Sequence, residues 1–343
     1  MSSSLLQPRI RTMSGWKRGW RVALVGLGAW LVPAVASAQA SGGSQPVQRM
    51  ACTFSGMVED LRAGLRTGSP AYKKYVKERL KQAAKAMPPD ELRAAVARER
   101  DPEVLESLGE ALAHQASFTE DPTQVKPLLD RALNDGDPKL RAAAVRGLRG
   151  TGSVEMMAKN GGEASYERLI RDSAPEVREA VVGNLVQEDA KVYFGHGREV
   201  SEAAVATALA SRDPEAAAKL LSQVSMEQVS PALVEQLTGQ LRSEHPGLRA
   251  AAATALGGVP GASSQSSRQA LVELYRNDKD PAVRKAALEG IARLGLSGSR
   301  ATLESLRGVA PAMDPEIDAW VTAMNRNLQE WSLLQREKQR LRK

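Results

Sequence analysis

The chain has 343 residues, of which 42% are apolar, 4% aromatic and 25% charged, and its formal net charge is +7. The apolar content is enough for a sizeable core, and the low aromatic content excludes a core built mainly on aromatic packing. Leu, Val and Ala must supply most of the core, which favours closely packed helices.

The first 38 residues have the pattern of an export signal. A basic segment precedes a short apolar stretch and a small-residue cleavage motif, namely Lys17, Arg18 and Arg21, residues 22–35, and Ala36-Ser37-Ala38. The apolar stretch of 14 residues is short for a membrane span. We therefore predict a signal peptide over residues 1–38 and an exported protein, either periplasmic or extracellular, with no membrane span after cleavage.

Cleavage of this signal peptide would leave Gln39 as the first residue. An uncleaved N-terminal anchor is the alternative interpretation, and the sequence does not distinguish Met1 from Met13 as the start. Residues 39–52 are rich in Ser, Gly and Gln and are predicted to be a flexible linker. Cys52 is the only cysteine, which excludes an internal disulfide and leaves a buried thiol, an unpaired thiol or an intermolecular bridge.

The positive charge lies mainly at the two ends of the chain. The predicted leader holds five basic residues and no acidic residue, so its removal lowers the formal charge from +7 to +2. Residues 331–343, predicted to be a basic C-terminal helix end, alone carry +4. The remainder has no basic excess, and we predict no nucleic-acid partner.

A proline-containing phrase recurs through residues 53–330. Successive prolines are 32 to 39 residues apart, at Pro70, Pro102, Pro138, Pro175, Pro214, Pro246, Pro281 and Pro315. A period of this length is typical of stacked supersecondary units and not of one globular core. Each unit is predicted to contain a helix, a short turn and a second helix that has the proline in its first turn. The chain should hold about eight such helical pairs.

An apolar stripe follows the proline in seven of these second helices. Positions 2, 6 and 10 after the proline share one helical face and are predicted to form the core. They are Tyr72, Val76 and Leu80; Val104, Leu108 and Leu112; Leu140, Ala144 and Leu148; Val177, Val181 and Leu185; Ala216, Leu220 and Val224; Leu248, Ala252 and Leu256; and Val283, Ala287 and Ile291.

Two stretches interrupt the repeat, residues 156–163 and 191–199, and such loops often carry specific contacts. The last helix is predicted to run from Pro315 to the C-terminus, because neither Gly nor Pro interrupts it. Its apolar residues form a heptad-like stripe, typical of a helix that caps the final repeat, consisting of Ile317, Val321, Met324, Leu328 and Trp331. The basic end of this helix is expected to project beyond the repeats.

The phrase Asp-Pro-x-Val/Leu-Arg-x-x-Ala-x-x-x-Leu resembles HEAT repeats, in particular the HEAT-like repeats of the phycobilisome-lyase type. The copies that begin at Asp137, Ala174, His245 and Asp280 match it well, whereas the other four lack the Arg three residues after the proline. The resemblance covers residues 53–330 and implies an all-α, right-handed α-solenoid. It further implies a scaffold or adaptor, since only a minority of such families are chromophore-attaching lyases.

A second regularity accompanies the well-matched copies: an Asp or Ser lies six residues before each Arg. These pairs are Asp135 and Arg141, Asp172 and Arg178, Ser243 and Arg249, and Asp278 and Arg284. In HEAT families these positions form a ladder between neighbouring repeats, so the resemblance implies a structural role. The chemistry is suitable, because a turn carboxylate can cap a helix and accept charge-assisted hydrogen bonds from a guanidinium. A row of anion-binding arginines is the alternative.

The sequence contains no recognisable catalytic or metal-binding motif. Its three histidines, His114, His196 and His245, lie in different units. Neither HExxH, paired CxxC, a GxSxG elbow, a phosphate-binding loop nor a dinucleotide fingerprint occurs. We predict no catalytic residue, no metal and no cofactor.

The second helices are expected to line the concave side of the solenoid. Their outward positions, which lie 1, 4 and 8 residues after the proline, change in charge from repeat to repeat. Two neighbouring sets are Glu103, Glu106 and Glu110, and Lys139, Ala142 and Arg146. Mixed charge suits a protein better than a polyanion, so we predict that the five charged members of these sets bind a protein partner. A merely solvated face is the alternative.

Taken with the export signal, these features predict a non-catalytic protein-binding adaptor or assembly scaffold in a bacterial cell envelope. The alternative is a lyase-like enzyme or carrier that holds a bulky ligand in the concave groove.

Overall fold

A computed structural model describes residues 54–149, 156–157, 163–189 and 198–341. The predicted signal peptide (1–38), the predicted linker (39–52) with Cys52, and most of the two interrupting loops lie outside these residues. The described residues fall within one compact unit, residues 50–343.

Seventeen α-helices are described, and no strand occurs within the described ranges. The first eight are α1 (Phe54–Thr67), α2 (Pro70–Lys85), α3 (Pro89–Arg98), α4 (Pro102–Thr119), α5 (Lys126–Asn134), α6 (Pro138–Gly147), α7 (Glu163–Leu169) and α8 (Pro175–Asp189). The others are α9 (Arg198–Ala210), α10 (Pro214–Leu221), α11 (Pro231–Gly239), α12 (Pro246–Leu256), α13 (Ser263–Asn277), α14 (Pro281–Gly295), α15 (Arg300–Glu304), α16 (Asp314–Met324) and α17 (Trp331–Leu341).

The helices from α1 to α16 form eight consecutive pairs. Second helices, from α2 to α14, pack against the second helices of neighbouring pairs, and first helices from α3 to α13 form a parallel layer of contacts. One continuous apolar core lies between the layers. The predicted all-α solenoid of about eight helical pairs is confirmed.

Asp-Pro dipeptides explain why several second helices begin where they do. The side chain of Asp101 accepts hydrogen bonds from the backbone N–H groups of Glu103 and Val104, at 2.9 and 3.2 Å. The side chains of Asp137, Asp213 and Asp280 cap their helices in the same way. Each such cap contributes about 1 kcal/mol, and the following proline loses nothing because its missing N–H would have no helical partner.

The predicted apolar stripe forms the core along almost its whole length. Two positions differ from the prediction. Tyr72 of the first pair is 48% exposed, and its ring lies against Gly64 and Gly68 near the end of α1. Ala216 is half-buried and packs at the margin of the core.

Paired glycines allow neighbouring second helices to approach closely. A Cβ atom added to Gly109 of α4 would lie 2.9 Å from the Cα atom of Gly147 in α6. One added to Gly257, directly after α12, would lie 2.6 Å from the Cα atom of Gly290 in α14. Real Cβ atoms essentially never come this close to a backbone atom, so both contacts require glycine.

The prediction of one uninterrupted C-terminal helix is wrong. Helix α16 ends at Met324 and α17 begins at Trp331, and Asn327 between them has a left-handed backbone with a φ of 50°. This reversal lets Trp331 stack on the buried Trp320, with ring centroids 5.3 Å apart. A continuous helix would carry Trp331 away from this contact.

Helix α17 therefore folds back and caps α16. Leu334 is fully buried, and Lys338 forms a buried ion pair with Glu316 while its ammonium lies 4.0 Å from the centre of the Trp320 ring. One basic residue of the predicted projecting end is thus part of the interior of the protein.

Candidate protein-binding surface

Four of the five predicted partner-binding residues lie in a set of ion pairs that joins three second helices. Glu106 of α4 pairs with Arg146 of α6, with 2.8 Å between Oε2 and Nε. On the other side of α4, Glu103 pairs with Lys77 of α2 at 2.7 Å, and Glu110 pairs with Lys81 of α2. We call the surface formed by the charged residues of α2, α4 and α6 the charged face.

Lys77 and Lys81 were not among the predicted partner-binding residues, although the spacing of the lysines in the sequence indicates that they share one helical face. They belong to a lysine row with a spacing of four, which begins at Lys73. Such a spacing places the three side chains along one face of α2, which is the face next to α4.

The outward positions are less exposed than their pattern predicts. The side chain of Glu103 is 45% exposed, but those of Glu106 and Glu110 are only 21% and 19% exposed. Ala142 is fully buried. Neighbouring helices cover the two glutamates, since Glu106 pairs with Arg146 of α6 and Glu110 pairs with Lys81 of α2.

Lys139 is the most accessible of the predicted residues. It is exposed and forms no ion pair with a described residue, and its backbone N–H donates a 2.9 Å hydrogen bond to the capping carboxylate of Asp137. Its ammonium group is therefore available to a partner.

The predicted ladder residues lie along the turns that precede the second helices. Arg141 donates two hydrogen bonds to the carboxylate of Asp172, from Nε at 2.8 Å and from Nη2 at 2.9 Å. Its Nη1 atom donates to the backbone carbonyl of Asp135 at 2.9 Å. One guanidinium thus fixes its own turn and the turn of the next repeat.

Two further arginines repeat this arrangement. Arg178 donates to the carboxylate of Asp213 at 2.9 Å and to the carbonyl of Asp172 at 2.9 Å. Arg249 donates to the carboxylate of Asp278 at 2.6 and 3.0 Å and to the carbonyl of Ser243 at 2.9 Å. The residue six positions before each arginine therefore supplies a backbone oxygen, and the carboxylate comes from the next repeat.

Arg284 departs from this arrangement. Its guanidinium lies 5.9 Å from the centre of the Tyr275 ring, and its Nε atom is buried without a hydrogen-bond partner among the described residues. In the following repeat Ala312 lies three residues before the proline, where Asp172 and Asp278 lie in their repeats, and Asp314 accepts a 3.0 Å hydrogen bond from the Gly308 N–H.

The ladder also extends through arginines that the sequence pattern did not identify. Arg131 of α5 donates to the carboxylate of Asp135 at 2.7 Å and to the carbonyl oxygens of Val96 and Glu99. Arg62 of α1 donates to both carboxylate oxygens of Glu99, at 2.8 and 2.9 Å. These residues lie on first helices, outside the recurring phrase, but Glu99 occupies the same position before Pro102 as Asp135 before Pro138.

At the ladder carboxylates, hydrogen bonds and nearby arginine charges together outweigh the effect of burial on the pKa. Burial alone would raise the pKa of Asp172, but the hydrogen bonds from Arg141 and from the Ala174 N–H hold this pKa below its usual value. The pKa of Asp278 is lowered against the same burial effect, by Arg249 and the Asp280 N–H. Both groups therefore stabilise the fold as carboxylates.

A groove at the edge of the described solenoid is lined mainly by polar and charged residues. This groove of about 1120 Å³ lies at the turn edge between the second and third pairs, where Arg98, Arg100, Asp130 and Asp137 line it together with other residues. Sites for bulky organic ligands are usually lined by apolar and aromatic side chains, which this groove does not provide. Within the described ranges, no group of three or more His, Cys, Asp or Glu residues could hold a metal ion.

None of the described helices combines the length and the apolar character that a helix needs to cross a bilayer.

The comparison with protein families gives one match. Residues 230–323, from α11 to α16, match the family model described as HEAT repeats. No curated protein matches the sequence.

Solved structures also resemble the chain. The Escherichia coli protein YibA is 12% identical and covers 88% of this chain and 100% of its own, with a TM-score of 0.43. A designed armadillo repeat protein is 17% identical, with 60% and 99% coverage and a TM-score of 0.29. A chain from a study of microtubule plus-end tracking by XMAP215, CLIP-170 and EB1 is 14% identical, with 80% and 92% coverage and a TM-score of 0.26. The family match thus supports a HEAT-repeat assignment through the C-terminal pairs.

Proposed function

We propose that this protein is a non-catalytic scaffold that binds another protein in a bacterial cell envelope, and that the charged face is the binding surface. The observation that carries this proposal is the set of ion pairs across α2, α4 and α6. These pairs hold charged groups in fixed positions over three consecutive repeats. A surface that is ordered before binding loses less side-chain entropy when a partner docks.

The HEAT-repeat match supports a binding role, because stacked helical repeats present extended surfaces that suit protein partners. The alternation of acidic and basic groups favours a partner with complementary charges over a uniform polyanion. The envelope location rests on the sequence pattern of residues 1–38 alone.

Capture of the partner from native envelopes, followed by repetition with the purified partner, tests the binding surface. Lys139→Glu is the most informative variant, because Lys139 is exposed and forms no ion pair with a described residue. We expect it to weaken binding about tenfold, and more strongly at low salt. Lys219→Glu, in an exposed position on α10, is the matched control and should leave binding unchanged. Equal binding by Lys139→Glu and wild type would contradict the proposed surface.

The lyase-like alternative leads to different results. A chromophore or other bulky ligand would remain with the purified protein, and His196→Ala in the 191–199 loop would reduce its activity. We expect neither, and we expect His196→Ala to leave partner capture unchanged.

N-terminal sequencing of the exported protein tests the envelope location. The sequence should begin at or near Gln39. A mature chain that retains Trp30 would contradict cleavage.

A further inference from the structure

Helix α2 has an unusual charge. Its 16 residues, Pro70–Lys85, include six Lys or Arg residues and one acidic residue, Glu78. Like charges along one helix repel each other, so this composition needs compensation from outside the helix.

The acidic residues of α4 neutralise only part of the positive charge of α2. Lys77 and Lys81 pair with Glu103 and Glu110. Lys73 and Lys74 form neither an ion pair nor a side-chain hydrogen bond with any residue that the structure describes. Lys74 is exposed and Lys73 is half-buried, so two lysines without a close carboxylate partner lie at one end of the charged face.

These two lysines line an open groove of about 470 Å³. Lys77 and Lys81 line it further along, so four ammonium groups surround it. The groove also contains the carboxylates of Glu78 and Glu103, of which Glu103 is paired with Lys77. Four lysines against two glutamates leave the residues that line the groove with an excess of positive charge.

We propose that this groove binds an acidic segment of a partner protein. The inference rests on the proposed function and gives the chemistry of the partner at the α2 end of the charged face. Lys73 and Lys81 are two turns apart, or about 12 Å along the helix axis. An extended peptide of about four residues spans that distance, so a short run containing two or three Asp or Glu residues fits the groove.

Other features of α2 favour a protein segment over a polyanion or a membrane. The carboxylates of Glu78 and Glu103 in the groove would repel a continuous polyanion. The half-exposed ring of Tyr72 lies against Gly68, which lines the groove, and offers an apolar contact that a peptide side chain can use.

Fluorescence anisotropy with a labelled octapeptide that contains three consecutive glutamates between neutral residues tests the inference on the purified full chain. We expect binding that weakens when the ionic strength rises from about 0.05 M to about 0.3 M. Lys73→Glu combined with Lys74→Glu should weaken it at least tenfold. Neither lysine is in an ion pair, so the circular dichroism spectrum and the thermal midpoint should remain those of the wild type. The matched control is Lys279→Glu combined with Lys285→Glu, which makes the same charge change at exposed positions in the seventh pair. This control should bind the peptide as well as the wild type does.

Three results would overturn the inference. The first is the absence of peptide binding at low salt. The second is an equal loss in the two double variants, since that would show attraction by net charge only. The third is tighter binding to phosphatidylglycerol vesicles or to oligothymidylate than to the peptide. These results are independent of partner capture: if Lys139→Glu weakens capture while the peptide fails to bind, the scaffold proposal stands and only the acidic-segment inference falls.

Discussion

The second-helix layer presents two different surfaces. In α2, α4 and α6, charged side chains pair from helix to helix. In α12 and α14 the residues 1, 4 and 8 positions after the proline are mostly small, namely Gly247, Ala250 and Thr254, and Ala282, Lys285 and Glu289. Among the described residues, no ion pair joins these two helices. Nevertheless, both regions contain the same close glycine contact.

This comparison separates packing from surface charge. The distance between second helices depends on glycine, since α12 and α14 approach as closely as α4 and α6 without a bridging ion pair. The charges on α2, α4 and α6 are therefore not needed to bring the helices together, and they are available for recognition.

The largest expected effect concerns the shared glycine contacts. Gly109→Val and Gly257→Val should each lower the free energy of unfolding by about 3 kcal/mol, because a side chain would overlap the neighbouring backbone. Gly183→Ala is the control: its Cβ would meet only the Arg149 side chain, at 3.6 Å, and alanine favours the helix by up to about 1 kcal/mol. Urea denaturation measures all three. A cost confined to Gly109→Val would show that the two regions pack by different means.

The second-largest loss of stability is expected for substitutions of the ladder arginines, which occur in both regions. Arg178→Ala and Arg249→Ala should each cost about 2 kcal/mol, because each leaves a half-buried Asp without its guanidinium and frees a turn. Arg284→Ala should cost less than about 1 kcal/mol, since Arg284 has no carboxylate partner among the described residues. An unchanged urea midpoint for Arg178→Ala would mean that the ladder does not stabilise the stack.

A smaller effect should distinguish the two surfaces. Glu106→Lys combined with Glu110→Lys removes the pairs with Arg146 and Lys81 and should cost about 1 kcal/mol. Lys285→Glu on α14 should change the free energy of unfolding by less than about 0.5 kcal/mol, because Lys285 is exposed. An equal loss of stability for the two variants in thermal denaturation would show that the two surfaces do not differ in this respect.

The smallest effect is expected in the pH dependence of stability. The folded-state pKa values of Asp172 and Asp278 are lowered, so their stabilisation is present above the unfolded value of about 3.8 and is lost as the pH falls through the folded values. Asp172→Asn should therefore make the wild-type loss of stability below about pH 4 shallower. Urea midpoints between neutral pH and acid pH measure the slope.

Sequence reasoning was most successful where the determinants are local. The proline period and the apolar positions 2, 6 and 10 after each proline predicted the helical pairs and most of the core. The prediction for the last helix was wrong, because the stacking of Trp331 on Trp320 joins residues 11 positions apart. The chain reverses at Asn327, and no Gly or Pro in the sequence marks this reversal.

The candidate surface shows the same division. The sequence identified Glu103, Glu106, Glu110 and Arg146 as members of one face but gave neither their burial nor their partners. It also placed Asp135 with Arg141, whereas the carboxylate that Arg141 binds belongs to Asp172, 31 residues further along the chain. Arg131 and Lys77, which complete these networks, lie outside the positions that the repeat pattern singles out.

The sequence by itself thus determined the repeat, the helix starts and the buried stripe, because backbone capping and the 3.6-residue period act within a few residues of chain. Only the tertiary structure decided which guanidinium meets which carboxylate and how far each charged side chain is covered. Those contacts depend on the offset between neighbouring helices, which the close glycine contacts and the packing of the whole core set together.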